Sequence, residues 1–67
     1  MIVYLNNEQV VLSDEASLHA LLEEKGLDQK KGIAVAVNNK VIRATEWASK
    51  QLSENDKVLV ISATKGG

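Results

Sequence analysis

Cysteine is absent from this chain, and that single omission removes disulfides, thiolate metal sites and an internal sulfur nucleophile. Any sulfur chemistry must therefore be acquired from another molecule. No apolar run approaches the roughly 20 residues of a membrane span, and no N-terminal signal pattern is visible, so a cytoplasmic protein without a membrane partner is expected. Charge of one sign is not in excess either. Eight Lys and Arg stand against nine Asp and Glu, for a net charge of −1, and the basic residues are dispersed. Neither a nucleic-acid footprint nor a polybasic patch forms, which leaves proteins and small molecules as the expected partners. Internal repeats, low-complexity runs and linkers are also missing. At 67 residues, 45% hydrophobic and 25% charged, the chain reads as one ordinary globular unit with a thin core.

Short apolar segments follow one another at close spacing. Ile2 to Leu5 reads as a first strand, and Asn6 with Asn7 as a tight reversal, because asparagine tolerates the left-handed backbone such turns need. Glu8 to Leu12 resumes with Val10 and Leu12 on one face, which predicts a hairpin. Ser17 precedes Leu18, Leu21 and Leu22, spaced i, i+3 and i+4, and so reads as the N-cap of a helix from about Leu18 to Lys25. Gly26 fits the residue after that helix, with Leu27 folding back on Leu22 in a Schellman arrangement. His19 lies beside the leucine stripe and reads as an exposed, solvated side chain.

Ile33 to Val37 predicts a third strand, Asn38 and Asn39 a second two-residue turn, and Lys40 to Ile42 a fourth strand. Ala34 and Ala36 are small enough to let a helix lie close or to fill a tight core. Thr45 is placed to cap a short helical turn through Glu46, Trp47 and Ala48, with Trp47 and Leu52 anchoring a long connection onto the sheet. After a polar turn at Glu54, Asn55 and Asp56 comes the last strand, Lys57 to Ser62. Its four consecutive aliphatics mark it as central rather than edge.

The order strand, strand, helix, strand, strand, short turn, strand gives one helix to cover one face of a small mixed sheet. Placing the apolar last strand in the middle, parallel to the first, produces an α+β chain of the β-grasp, ubiquitin-like type. It has four to five strands and one main helix on one face. Alternation then turns Val3, Leu5, Val10, Leu12, Val58 and Val60 toward the helix. Ile2, Tyr4, Leu59 and Ile61 point the other way, an apolar set suited to a partner interface. The expected division is a domain over 1–63 and a flexible tail over 64–67.

That tail, Thr64, Lys65, Gly66 and Gly67, carries the chemistry. Glycine has no Cβ, so a Gly-Gly end is thin enough to enter a narrow channel and present a bare carboxylate. An α-carboxyl with an ordinary pKa of about 3.5 is ionised at neutral pH, can attack the α-phosphate of ATP, and becomes an acyl adenylate. Gly67 is the reactive residue in this reading, Gly66 gives passage, and Lys65 can steer toward an acidic channel mouth or serve solubility alone.

Several stretches together resemble the ThiS family of thiamine-biosynthesis sulfur carriers: Met1 to Asn6, Leu18 to Leu22, Ile33 to Asn38, Glu46 to Ala48, and Asp56 to Gly67. The resemblance covers nearly the whole chain. It departs at one point, since that family often has a proline before the Trp segment and this chain has Arg43 and Ala44 there. The resemblance implies a carrier rather than an enzyme, with no bound cofactor and no metal site. An adenylyltransferase of the ubiquitin-activating type, ThiF-like, would use ATP and Mg²⁺ to adenylate Gly67. A persulfide sulfur donor would then leave a thiocarboxylate, and a ThiG-like thiazole synthase would accept the sulfur. Two related readings share the end chemistry: the molybdopterin-synthase small subunit, and a ubiquitin-like modifier joined to target lysines. A plain interaction domain, indifferent to loss of Gly66 and Gly67, is the reading from another class.

Overall fold

The computed structural model describes residues 1–62, so the predicted tail, Thr64 to Gly67, and the domain boundary at 63 lie outside the described residues. Seven elements follow in order: β1 (Ile2–Leu5), β2 (Glu8–Val11), α1 (Leu18–Glu24), β3 (Ile33–Val37), β4 (Lys40–Ile42), a 3-10 turn (Ala44–Glu46) and β5 (Lys57–Ser62). The five strands form one sheet in the order β2-β1-β5-β3-β4. Only β1 and β5 pair in parallel; the other neighbours are antiparallel. With α1 as the one α-helix on one face of this mixed sheet, the described chain is a β-grasp, and β5, with its four consecutive aliphatics, is central as expected.

Both hairpins turn on asparagine pairs. Asn6 and Asn7 have φ of 50° and 73°, and Asn38 and Asn39 have 51° and 73°. Positive φ at both central positions is what a type I′ turn demands, and its twist matches that of the strands it joins.

At the start of α1 the Ser17 side chain accepts a hydrogen bond from the Ala20 N–H at 3.1 Å. The C-terminal end closes as a Schellman motif: Leu27 N–H donates to Leu22 C=O at 2.7 Å, and Gly26 N–H to Glu23 C=O at 3.1 Å. Gly26 takes φ of 73°, the left-handed conformation that a side chain would resist. Leu18, Leu21 and Leu22 are fully buried against Val3, Val35 and Val58, forming the centre of the core. Val10, Val37 and Ile42 complete the buried set from the sheet, Leu12 joins it just after β2, and Leu5 and Val60 pack at its margin.

The long segment between β4 and β5 is strapped over the start of α1. Leu18 N–H donates to Lys50 C=O and His19 N–H to Trp47 C=O, while Ser17 and Gln51 form an isolated bridge. Trp47 and Leu52 are buried, and the indole N–H donates to Ile42 C=O at 3.0 Å, so the tryptophan anchors this segment as predicted.

Three expectations require correction. Ala34 and Ala36 do not face the helix: they pair with Ile61 and Leu59, while Val35 and Val37 take the core positions between them. Thr45 does not cap the short turn, because it lies inside it; Arg43 is the capping position and makes no side-chain cap. His19 is only in part the exposed side chain expected: it is half-buried, its side chain 42% exposed, with Nε2 3.8 Å from Asp28 and Nδ1 4.0 Å from Glu23.

Candidate functional site

The face of the sheet away from α1 is built by strict alternation, since every second residue of a strand points the same way. Pairing aligns these positions across the strands. Val11 of β2 stands opposite Ile2, and Gln9 opposite Tyr4. Tyr4 in turn pairs with Lys57 of β5. Further along, Leu59 pairs with Ala36, which pairs with Val41, and Ile61 pairs with Ala34.

All four residues expected at a partner interface, Ile2, Tyr4, Leu59 and Ile61, therefore lie on this open face. The parallel register spreads them along it. Because Tyr4 is level with Lys57, Ile2 sits four residue steps from Leu59, about 13 Å at 3.3 Å per step. Ile2 and Tyr4 are half-buried; Leu59 and Ile61 are 47% and 53% exposed. The more open part of the patch is thus Leu59 and Ile61 with Ala34, Ala36 and Val41, the last 70% exposed. Val41 was not singled out from the sequence, although its place between Lys40 and the buried Ile42 carried the signal.

β5 outruns β1. The last paired residue of β1, Leu5, lies opposite Val58, leaving four more residues of β5 beyond it. Asn6 bridges the first of the resulting gaps: its N–H donates to Val58 C=O at 2.8 Å, and its Oδ1 accepts the Val60 N–H at 2.8 Å. Asn38 does the same on the other side of β5. Its N–H donates to Lys57 C=O at 2.8 Å, and its Oδ1 accepts the Lys57 N–H at 3.0 Å. Its Nδ2 donates to Asp56 Oδ1 at 2.9 Å, and the other oxygen of that carboxylate accepts the Ser53 N–H at 2.8 Å. The strand that leads in sequence to Thr64, Lys65, Gly66 and Gly67 is consequently held by pairing with two strands, β1 and β3, and by two side chains that prolong the ladder.

Gly67, Gly66 and Lys65 themselves lie outside the described residues. Among the described residues no group of three His, Cys, Asp or Glu side chains is arranged to hold a metal ion, and no helix is long and apolar enough to cross a membrane.

The same architecture recurs in solved structures. A crystal structure of a thiamine biosynthesis protein (ThiS) from Geobacter metallireducens is 17% identical and superposes with a TM-score of 0.84, each chain covered completely. A solution structure of a thiamine biosynthesis protein from the same organism, also 17% identical, gives 0.77 over all of this chain and 88% of that one. At that identity the likeness speaks to fold. In sequence, the chain is 28% identical over 68 residues to the sulfur carrier protein ThiS of Escherichia coli (strain K12), covering both in full. The ThiS family model matches residues 2–67, a span that takes in β1, β5 and both tail glycines, and on that match the chain belongs to the ThiS family.

Proposed function

We propose that the chain is a sulfur carrier for thiamine biosynthesis whose Gly67 carboxylate is adenylated, converted to a thiocarboxylate and used to donate sulfur for thiazole formation. The observation that carries this reading is the family match running unbroken through Gly66 and Gly67, on a chain with no cysteine to perform sulfur chemistry internally.

The chemistry follows from what the chain possesses. The carboxylate oxygen of Gly67 attacks the α-phosphorus of ATP, pyrophosphate leaves, and the acyl carbon gains AMP as a leaving group. A persulfide sulfur then displaces AMP. The new bond is C–S, and the acyl disulfide that results keeps the S–S bond the persulfide brought; attack of a thiol of the sulfur-donor system on the donor-side sulfur forms a disulfide and releases a thiocarboxylate, a stronger nucleophile than the carboxylate it replaced. Once positioned in an acceptor's site, that sulfur attacks a carbonyl or imine carbon, and water restores the carboxylate when the acyl bond is broken. ATP and Mg²⁺ belong to the activating enzyme, an adenylyltransferase of the ubiquitin-activating type, and the acceptor is a thiazole synthase. The carrier contributes its terminus and its docking face, and catalysis belongs to the partners.

Leu59 and Ile61, with Tyr4 and Ile2 further along, supply that docking face, and Lys65 and Gly66 the segment that enters the partner. The test is intact mass after incubation with the adenylyltransferase, ATP and a persulfide donor. A gain equal to one oxygen replaced by one sulfur, lost on removal of Gly67, supports the reading. A stable isopeptide ladder on other proteins would point instead to a modifier.

A further inference from the structure

The outward-facing positions of the five strands carry one charged side chain, Lys57. All nine Asp and Glu side chains lie elsewhere: on α1, in the connections, or at strand positions of the other parity. No carboxylate of the described residues lies within 4 Å of the Lys57 ammonium. The lysine lines an open depression of about 390 Å³ on this face, shared with Tyr4, Leu59 and the paired asparagine turns. Asn6 and Asn38 spend their carboxamides on β5 and on Asp56 beside it, whereas Asn7 and Asn39, which line the same hollow, make no side-chain hydrogen bond among the described residues.

We infer that this depression receives an acidic side chain, Asp or Glu, of the protein that docks on the open face. The inference rests on the functional reading only in requiring that a protein docks there. A docking protein that covers Leu59 also takes Lys57 out of water, and a desolvated ammonium without a counter-charge is costly. A carboxylate between Lys57 and the Asn7 and Asn39 amide groups meets both a cation and neutral donors, the arrangement a carboxylate oxygen pair can accept. A second copy of this chain does not supply it through the described residues of the same face, since these present lysine and no acid. The pairing sets register and encounter rate, while Leu59 and its aliphatic neighbours supply the apolar contact.

The experiment measures the Kd of the full chain for the adenylating enzyme without ATP, with the ATP-dependent mass change followed in parallel. K57E is expected to weaken binding by at least about tenfold and K57Q by less, with the difference shrinking as salt rises. Buried Trp47 fluorescence verifies the fold of each variant. A Glu or Asp on the enzyme changed to Lys should restore K57E binding. Wild-type affinity in K57E overturns the inference, as does equal weakening by K25E at the C-cap of α1, which would reduce the effect to net charge. So would ATP or inorganic phosphate alone shifting the Tyr4, Lys57 and Leu59 amide resonances. Affinities as expected with no mass change in the wild type would leave this pairing standing and count against the carrier chemistry alone.

Discussion

Asparagine serves this chain as glycine serves others. All five asparagines, Asn6, Asn7, Asn38, Asn39 and Asn55, have positive φ, and each lies in a turn. A short polar side chain tolerates that region where a branched one does not. The first member of each pair has a second task, because its carboxamide continues the β5 ladder. The two positions of one turn should therefore respond differently to the same substitution. Asn7→Gly should leave stability unchanged or slightly raised, as glycine suits that position. Asn6→Gly should lose about 0.5–1.5 kcal/mol for the bond to Val60 N–H. Urea denaturation followed by Trp47 fluorescence compares them directly, and equal effects would refute a separate role for Asn6. The missing proline is testable in the same way. Arg43 sits at φ −70° and ψ 150°, inside the range a proline ring imposes, and its N–H has no backbone partner outside the strand ladders. Arg43→Pro should consequently be tolerated and raise stability by about 0.4–1 kcal/mol through the unfolded chain. A loss instead would mean that the side chain or N–H of Arg43 is engaged.

Among the elements, α1 and β5 bear most of the structure. The seven residues of α1 are too few to form an isolated helix, so its stability comes from capping at both ends and from a leucine face buried completely in the sheet. Leu21→Ala should cost about 2–5 kcal/mol, a large part of what so small a domain possesses, measurable as a drop in Tm or outright unfolding. The helix and its caps were legible in the sequence because they depend on local signals: a serine before the leucine stripe and a glycine after it. The strand boundaries were legible for the same reason, with asparagine pairs marking the turns. Orientation within β3 was less so. Alternating Ala and Val are both apolar, and only the pairing of Ala34 and Ala36 with the outward Ile61 and Leu59 decides which pair is core. Likewise the spread of Ile2 from Leu59 depends on the parallel register of β1 and β5, a non-local quantity that no short segment encodes. His19 is a smaller instance: its closeness to Asp28 depends on how the chain after Gly26 folds back, not on the helix alone.

For the whole molecule, the sheet separates two duties by face. One face packs against α1, and the other leaves Leu59, Ile61 and Val41 exposed, the set proposed as the docking face. Replacing Leu59 and Ile61 together by Ser should hence leave the fold intact, since neither belongs to the buried core, and weaken docking of the adenylyltransferase by tenfold or more, on the order of 1.4 kcal/mol or greater. Isothermal titration with circular dichroism as the control decides it; unchanged affinity would remove this face from the account. The proposed tail chemistry rests on residue type and position in the sequence alone, a carboxylate and two residues without side chains, which lie outside the described residues. Whether Gly67 carries sulfur is read most directly from the intact mass of the chain after reaction with an adenylyltransferase of the ubiquitin-activating type, ATP and a persulfide donor. The expected result is one oxygen exchanged for one sulfur on Gly67, located by fragmentation to the last residue and abolished when that glycine is deleted. Sulfur found elsewhere on the chain, or an unchanged mass in a reaction that demonstrably consumes ATP on an authentic carrier, would contradict it.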